Sequence, residues 1–261
     1  MKKYKGLIIF SAILVVYAIV MYIVFNDNNK VIVKNNEDTN TSEKNQTYYL
    51  VINNYANYKY QNNKFTIVKN KTIESLDELK VYVNNKYYGN YTLKYGNKWN
   101  LLNSKGEFVN YSGNILAFSK DFNINVKDIK IRSINDEEKF DIISNYKISS
   151  FNYLTNNQVI ETDLNNDGNN DKIICLSSME ESNNINNYYN LVVVNINDSY
   201  QTIIEEKGQN ANYVYEILSV LNILNSNSDT IIISRVEGLL SESPNYNILM
   251  ANYENEKYTI D

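Results

Sequence analysis

Apolar and polar positions follow three different patterns along the chain, and each pattern predicts a different kind of structure. Gly6 to Phe25 (GLIIFSAILVVYAIVMYIVF) carries no charged residue. About 20 residues rising about 1.5 Å each cross a hydrocarbon core of roughly 30 Å, so this run predicts a transmembrane helix over residues 6–25. Lys2, Lys3 and Lys5 stand just before it, and an excess of Lys on one flank places that flank in the cytoplasm. Residues 1–5 are then a cytoplasmic tail, and the remainder of the chain lies outside the cell membrane as the C-terminal part of a single-pass protein. A cleaved signal peptide fits less well, because its apolar region spans only about 7–15 residues and ends at an A-x-A-like site, which is missing here. From Asn26 to Gln46 the pattern turns polar, broken only by Val31-Ile32-Val33, and reads as a flexible stalk.

From Tyr48 onward, short runs of Val, Ile, Tyr, Phe and Thr alternate with Asn-Asn, Gly-Asn and Asn-Asp pairs. This is the pattern of strands joined by tight turns, with Asn in the left-handed positions that Gly more often fills. The first half predicts strands at Tyr48–Asn53, Asn57–Gln61, Lys64–Val68, Leu79–Val83, Tyr87–Tyr95, Trp99–Leu102 and Asn114–Ser119, arranged as hairpins around a core that includes Trp99. A break follows near Lys130. Asn135 stands three positions before Glu138, with Asp136 and Glu137 between them. That spacing is a capping box with acids in the first turn, so Asp136–Tyr146 is predicted as the one soluble helix. Phe140, Ile143 and Tyr146 are its expected apolar stripe. The fold class expected is mainly β: an antiparallel ectodomain in two subregions, 47–130 and 131–261, with the helix between them.

The second subregion contains a weak internal repeat. Asp171-Lys172-Ile173-Ile174-Cys175-Leu176 aligns with Asp229-Thr230-Ile231-Ile232-Ile233-Ser234, and Tyr189–Asn195 aligns with Tyr246–Asn252, at offsets of 58 and 57 residues. The two units, about 158–206 and 214–260, each read as four strands. Val214–Leu224 also fits a helical face, but the alignment favours a strand. Two units cannot close a propeller ring, so two sheets packed together, or extended by strands of the first half, are expected.

Composition narrows the chemistry. The 261 residues include no His, one Cys, one Pro and 24 Tyr, with a net charge of −5. Triads, Cys-His dyads and His-ligated zinc are therefore excluded, as are disulfides and Cys-cluster metal sites. Cys175 lies in an apolar run and is expected to be a buried core residue. The 48 Asn, and a Lys excess that leaves Arg132 and Arg235 as the only arginines, are read as a bias of an AT-rich genome. Abundant Tyr is read as cross-strand pairing inside sheets. Negative charge without a basic stripe argues against nucleic acid as a partner. Carboxylate-only hydrolysis survives the loss of His, yet the adjacent pairs Glu180-Glu181 and Glu205-Glu206 would project to opposite faces of a strand. No catalytic residue is assigned.

One motif carries chemistry. Asp163-Leu164-Asn165-Asn166-Asp167-Gly168-Asn169-Asn170-Asp171 has the form D-x-N-x-D-G-x-x-D. A Ca²⁺ ion takes six to eight oxygens at about 2.3–2.6 Å, and side-chain oxygens at positions 1, 3, 5 and 9 of such a loop can converge on one point. Asp163, Asn165, Asp167 and Asp171 are the expected side-chain ligands, with the carbonyl of Asn169 a fifth. The twelfth position is Ile174, where an EF-hand carries Glu, and a strand follows where an EF-hand has a helix. The motif together with Lys172-Ile173-Ile174 resembles the calcium loop of FG-GAP and VCBS-type repeats, found in many β-propeller and surface-exposed proteins. The resemblance covers about residues 158–261 and is closest over 163–174. It implies one structural Ca²⁺ site and a second, vestigial loop at 221–229, which keeps only Asp229. The expected role is binding or scaffolding at the cell surface, toward a glycan or protein partner. An accessory subunit of a membrane complex and a carboxylate-dependent glycan hydrolase are the alternatives.

Overall fold

The computed structural model describes residues 47–53, 55–61, 64–69, 74–148, 154–182, 185–209, 212–223, 229–237, 245–254 and 257–260. The expected transmembrane helix at 6–25 and the stalk at 26–46 lie outside these residues. The described part is mainly antiparallel β structure with one helix.

The first half forms an eight-stranded sheet. Its strands are β1 (Tyr48–Ile52), β2 (Ala56–Gln61), β3 (Lys64–Val68), β4 (Ser75–Val83), β5 (Lys86–Tyr95), β6 (Trp99–Leu102), β7 (Phe108–Val109) and β8 (Ile115–Ser119). They lie in the order β3-β2-β1-β8-β4-β5-β6-β7. All seven strands read from the first half are present, and β7 is an addition too short to leave a pattern. The hairpin of β4 and β5 turns through Asn84 and Asn85, both at positive φ (50° and 62°), the left-handed role expected of Asn. Four strands separate β2 from β6 in the sheet order, yet Trp99 Nε1 on β6 donates to Asn57 Oδ1 on β2 at 3.0 Å. The sheet therefore curls onto itself. Inside the curl Trp99 is fully buried with Val51, Leu79, Val81, Leu93, Leu101 and Ala117.

Two five-stranded sheets follow. One is built from β10 (Lys130–Arg132), β11 (Leu154–Thr162), β12 (Asp171–Ser182), β13 (Ile185–Ile196) and β14 (Ser199–Gly208), hydrogen-bonded in chain order. The other runs β18 (Lys257–Ile260), β17 (Asn245–Glu254), β16 (Thr230–Glu237), β15 (Tyr213–Ile223) and β9 (Ile124–Val126). Each is a four-stranded meander with one short strand from earlier in the chain added at its edge. Val214–Ile223 is strand, as the repeat alignment favoured.

The sheet of β15–β18 is the middle layer. On β16, Ile231 and Ile233 pack with Ile160, Ile173, Val192 and Val194 of the neighbouring meander. Ile232 points the other way, into a cluster with Leu50, Ile52, Leu116 and Phe118 of the first sheet. Because side chains alternate across a strand, a strand with both faces covered needs an unbroken apolar run, which is what Ile231-Ile232-Ile233 supplies. The same holds for Ile173-Ile174-Cys175-Leu176 on β12, whose outer face meets the helix through Ile174 and Leu176.

The helix, α1, spans Asp136–Tyr146 with the expected capping box. Asn135 Oδ1 accepts from Glu138 N at 2.8 Å, and Glu138 Oε2 accepts from Asn135 N at 3.2 Å. Its buried face differs from the stripe read from sequence. Ile142 is fully buried and Glu138 nearly so, whereas Phe140 is 69% exposed. Three-residue steps drift by about 60° around a helix with each step, so Phe140, Ile143 and Tyr146 do not form one narrow face. The four-residue step from Glu138 to Ile142 sets the orientation.

Candidate cation-binding loop

The expected ligand loop joins β11 to β12. Leu164 anchors it, buried in the core between the two meanders, and the Leu164 N–H donates to Asp171 Oδ2 at 2.9 Å, closing the loop at its base. Asp163 accepts from the N–H of Asp167 at 3.1 Å and of Gly168 at 2.9 Å through its two carboxylate oxygens. Asn165 Oδ1 accepts from the same Asp167 N–H at 3.0 Å, and its Nδ2 donates to Asp167 Oδ2 at 3.0 Å. Asp167 Oδ1 in turn accepts from Asn169 N at 2.8 Å. The winding requires positive φ at Asn166 (60°) and Gly168 (90°). A Cβ at Gly168 would meet nothing within 4 Å, so glycine serves backbone conformation there, not space.

The five residues named from the motif are thus on one short loop, but their roles differ. Asp163, Asn165 and Asp167 are tied together. Asp171 is buried at the base, and Asn169 presents its N–H, not its carbonyl, to Asp167. Among the described residues no group of three or more His, Cys, Asp or Glu is set close enough to hold a metal ion. The carboxylates are organised by backbone N–H groups instead.

The electrostatics are uneven. The Asn169 N–H and the Asn165 amide hold the Asp167 carboxyl below its ordinary range. Burial pushes the Asp171 carboxyl up, the Leu164 N–H opposes this, and the charges of Asp167 and Asp163 push it up further.

A residue that the motif did not flag completes the site. Lys127 Nζ donates to the Asp163 carbonyl at 2.8 Å and to Asn166 Oδ1, and pairs with Asp229 Oδ2 at 3.1 Å. Asp229 is fully buried at the start of β16 and also accepts from Asn222 Nδ2 at 2.9 Å. Burial raises its carboxyl chiefly, against the pull of Asn222 and Lys127. Asp229 and Asp171 stand at the starts of β16 and β12, and the charges of both add to burial in pushing up the Tyr258 hydroxyl. Lys127 follows β9 directly, so a strand from the first half delivers the ammonium that links both meanders. A lone Lys in a Lys-rich chain leaves no signal in sequence.

Of the remaining candidates, Glu205, Glu206 and Cys175 are engaged in side-chain contacts. Glu205 accepts from Tyr189 OH at 3.3 Å and pairs with Lys207, while Glu206 accepts from Tyr215 OH at 2.9 Å. The side chains of Glu180 and Glu181 lie outside the described residues. Cys175 is fully buried, its Sγ donates to the Tyr215 carbonyl at 2.9 Å, and burial pushes the thiol far up, away from the reactive thiolate. No protein-family model matches the chain, and neither a curated protein nor a solved structure matches it.

Proposed function

We propose that the chain is a single-pass, N-terminus-in membrane protein whose C-terminal β region, outside the cell membrane, binds or scaffolds at the cell surface. Its loop 163–171 takes one structural Ca²⁺, and its two meanders act as FG-GAP/VCBS-like units. The observation that carries the cation is the charge balance of the loop. Asp163, Asp167 and Asp171 are near enough for the first two to raise the proton affinity of the third. The nearest ammonium, on Lys127, goes to a carbonyl, an amide and Asp229. Among the described residues none of the three carboxylates has an ion-pair partner. An oxygen-only donor set on a short loop suits a hard cation of Ca²⁺ size, and the ion would replace the backbone N–H groups that Asp163 and Asp167 now engage. The uncharged run at 6–25 with Lys2, Lys3 and Lys5 before it supports the membrane placement.

Affinity is expected near 10⁻⁴–10⁻³ M, the range of extracellular modules. At ten times the dissociation constant, calcium adds about 1.4 kcal/mol of stability, or roughly 3–5 °C in melting temperature for a region of this size. The test is a calcium titration of the detergent-solubilised full chain followed by thermal melting. The rise is expected to disappear in the double variant Asp163→Asn, Asp167→Asn. An equal rise in that variant removes the assignment.

A further inference from the structure

An open cleft of about 450 Å³ lies beside the first sheet, at the end carrying β6 and β7. Phe108, 73% exposed on the edge strand β7, stands over it with Tyr111 and Tyr55, and Tyr55 is held flat against Tyr246 with ring centroids 4.0 Å apart. The amides of Asn100 and Asn110 also line the cleft, and among the described residues of the lining Lys98 alone is charged. The rings continue beyond the rim. Tyr88 donates its hydroxyl to the Asn110 carbonyl at 3.2 Å and stacks on Tyr91 at 5.7 Å, while Tyr88 itself is exposed.

The floor is fixed before any ligand arrives. Asn53 Nδ2 donates to Asn114 Oδ1 at 3.1 Å, and Asn84 Oδ1 accepts from Asn114 N at 2.9 Å. Gly113 sits at φ +112°, and a Cβ there would collide with the Asn84 amide. These amides are committed to one another and to the backbone. The side-chain amide of Asn110 makes no hydrogen bond among the described residues, and the Asn100 amide uses only its Nδ2, on the Lys98 carbonyl at 3.0 Å.

We propose that this cleft is a binding site for an uncharged oligosaccharide. A pyranose ring presents C–H groups on its face and hydroxyls around its rim. Aromatic rings, here the exposed Phe108 beside the half-buried Tyr55 and Tyr111, satisfy the first, and carboxamides, which both donate and accept, satisfy the second. A cleft of this volume holds roughly two sugar rings, at the small end of ligand sites. The single Lys98 supplies too little positive charge for a phosphate-bearing polymer. Tyr88, exposed and stacked on the half-buried Tyr91, extends the aromatic track past the cleft, as a chain longer than two sugars requires. The proposal rests on the cell-surface reading, since that placement brings the cleft within reach of extracellular glycans.

The test uses the detergent-solubilised full chain in calorimetric titrations with tetra-N-acetylchitotetraose and with maltotetraose. Binding of at least one, in the range of about 10⁻⁴–10⁻³ M, is expected. Phe108→Ala and Asn110→Ala, both at exposed positions, are each expected to weaken it about tenfold or more while leaving the melting temperature unchanged. Absence of heat with both sugars at about 10 mM overturns the proposal. So does binding that both variants leave intact. The surface reading is tested apart from this, by protease treatment of intact cells carrying an N-terminal tag. A protected β region overturns that reading, and the titration in detergent remains readable.

Discussion

Arg132 shows what one side chain can organise in a chain with only two arginines. Its guanidinium holds Glu138 through two parallel bonds of 2.7 and 2.6 Å and reaches Glu161 from Nε at 2.7 Å. Lys172 adds a contact to Glu138 at 2.8 Å. One fork therefore fixes β10, the first turn of α1 and β11, a geometry that the point charge of Lys cannot reproduce, and Lys172 ties β12 to the same carboxylate. Arg235 uses the same planarity differently, lying over the Tyr213 ring at 4.6 Å. The scarcity of Arg was read from sequence as codon bias, and that hid both roles. The Arg132 bonds, with help from Lys172 and the Asn135 N–H and against the cost of burial, lower the Glu138 carboxyl from 4.5 to about 2. A depressed folded-state value means that this contribution is complete above about pH 4.5 and fades as pH falls through about 2. Its size is of order 2–3 kcal/mol. Acid titration of stability over that window is expected to be flatter in Glu138→Gln, which starts less stable at neutral pH. Parallel curves for the two proteins would show that Glu138 is not the group responsible.

At the scale of elements, strands and their turns were legible because each is decided locally. Asn84-Asn85 and Asn197-Asp198 take the left-handed geometry their types permit, and the capping box set the start of α1. The short strands β7, β9 and β10 were not legible, since two or three residues cannot show a period and pairing alone defines them. The face of α1 was misread for a related reason. An 11-residue helix with few apolar residues offers several stripes of similar quality, and the sheet beneath selects among them. Ile142→Ala is therefore expected to cost about 2–5 kcal/mol, while Phe140→Glu changes stability by no more than about 0.5 kcal/mol. Denaturant midpoints for the two variants check this directly, and the reverse ranking would contradict the observed face. The candidate loop was legible residue by residue as to type and spacing. Its hydrogen bonds were not, because backbone N–H groups leave no trace in side-chain sequence.

For the whole molecule, the tie among distant parts is Lys127. Its side chain is only 14% exposed and its partner Asp229 is fully covered, so removing the ammonium strands a buried carboxylate. Lys127→Met is expected to lose about 3–5 kcal/mol, and adding Asp229→Leu should restore much of that loss. Urea midpoints for the four members of the cycle measure the coupling, and additive losses would exclude a direct link. Layering was beyond local reading, because sequence patterns show that a face is apolar but not which face it meets. The order of the layers also differs from their order along the chain. The curled first sheet is made first and the sheet of β10–β14 second, while the sheet lying between them is completed last, by β15–β18. A chain emerging from its N-terminus thus displays two sticky surfaces until the filling arrives, and final consolidation waits for the closing strands. Early termination would leave sequences that are locally well formed yet prone to self-association, the hazard that a quality-control protease or chaperone is there to meet.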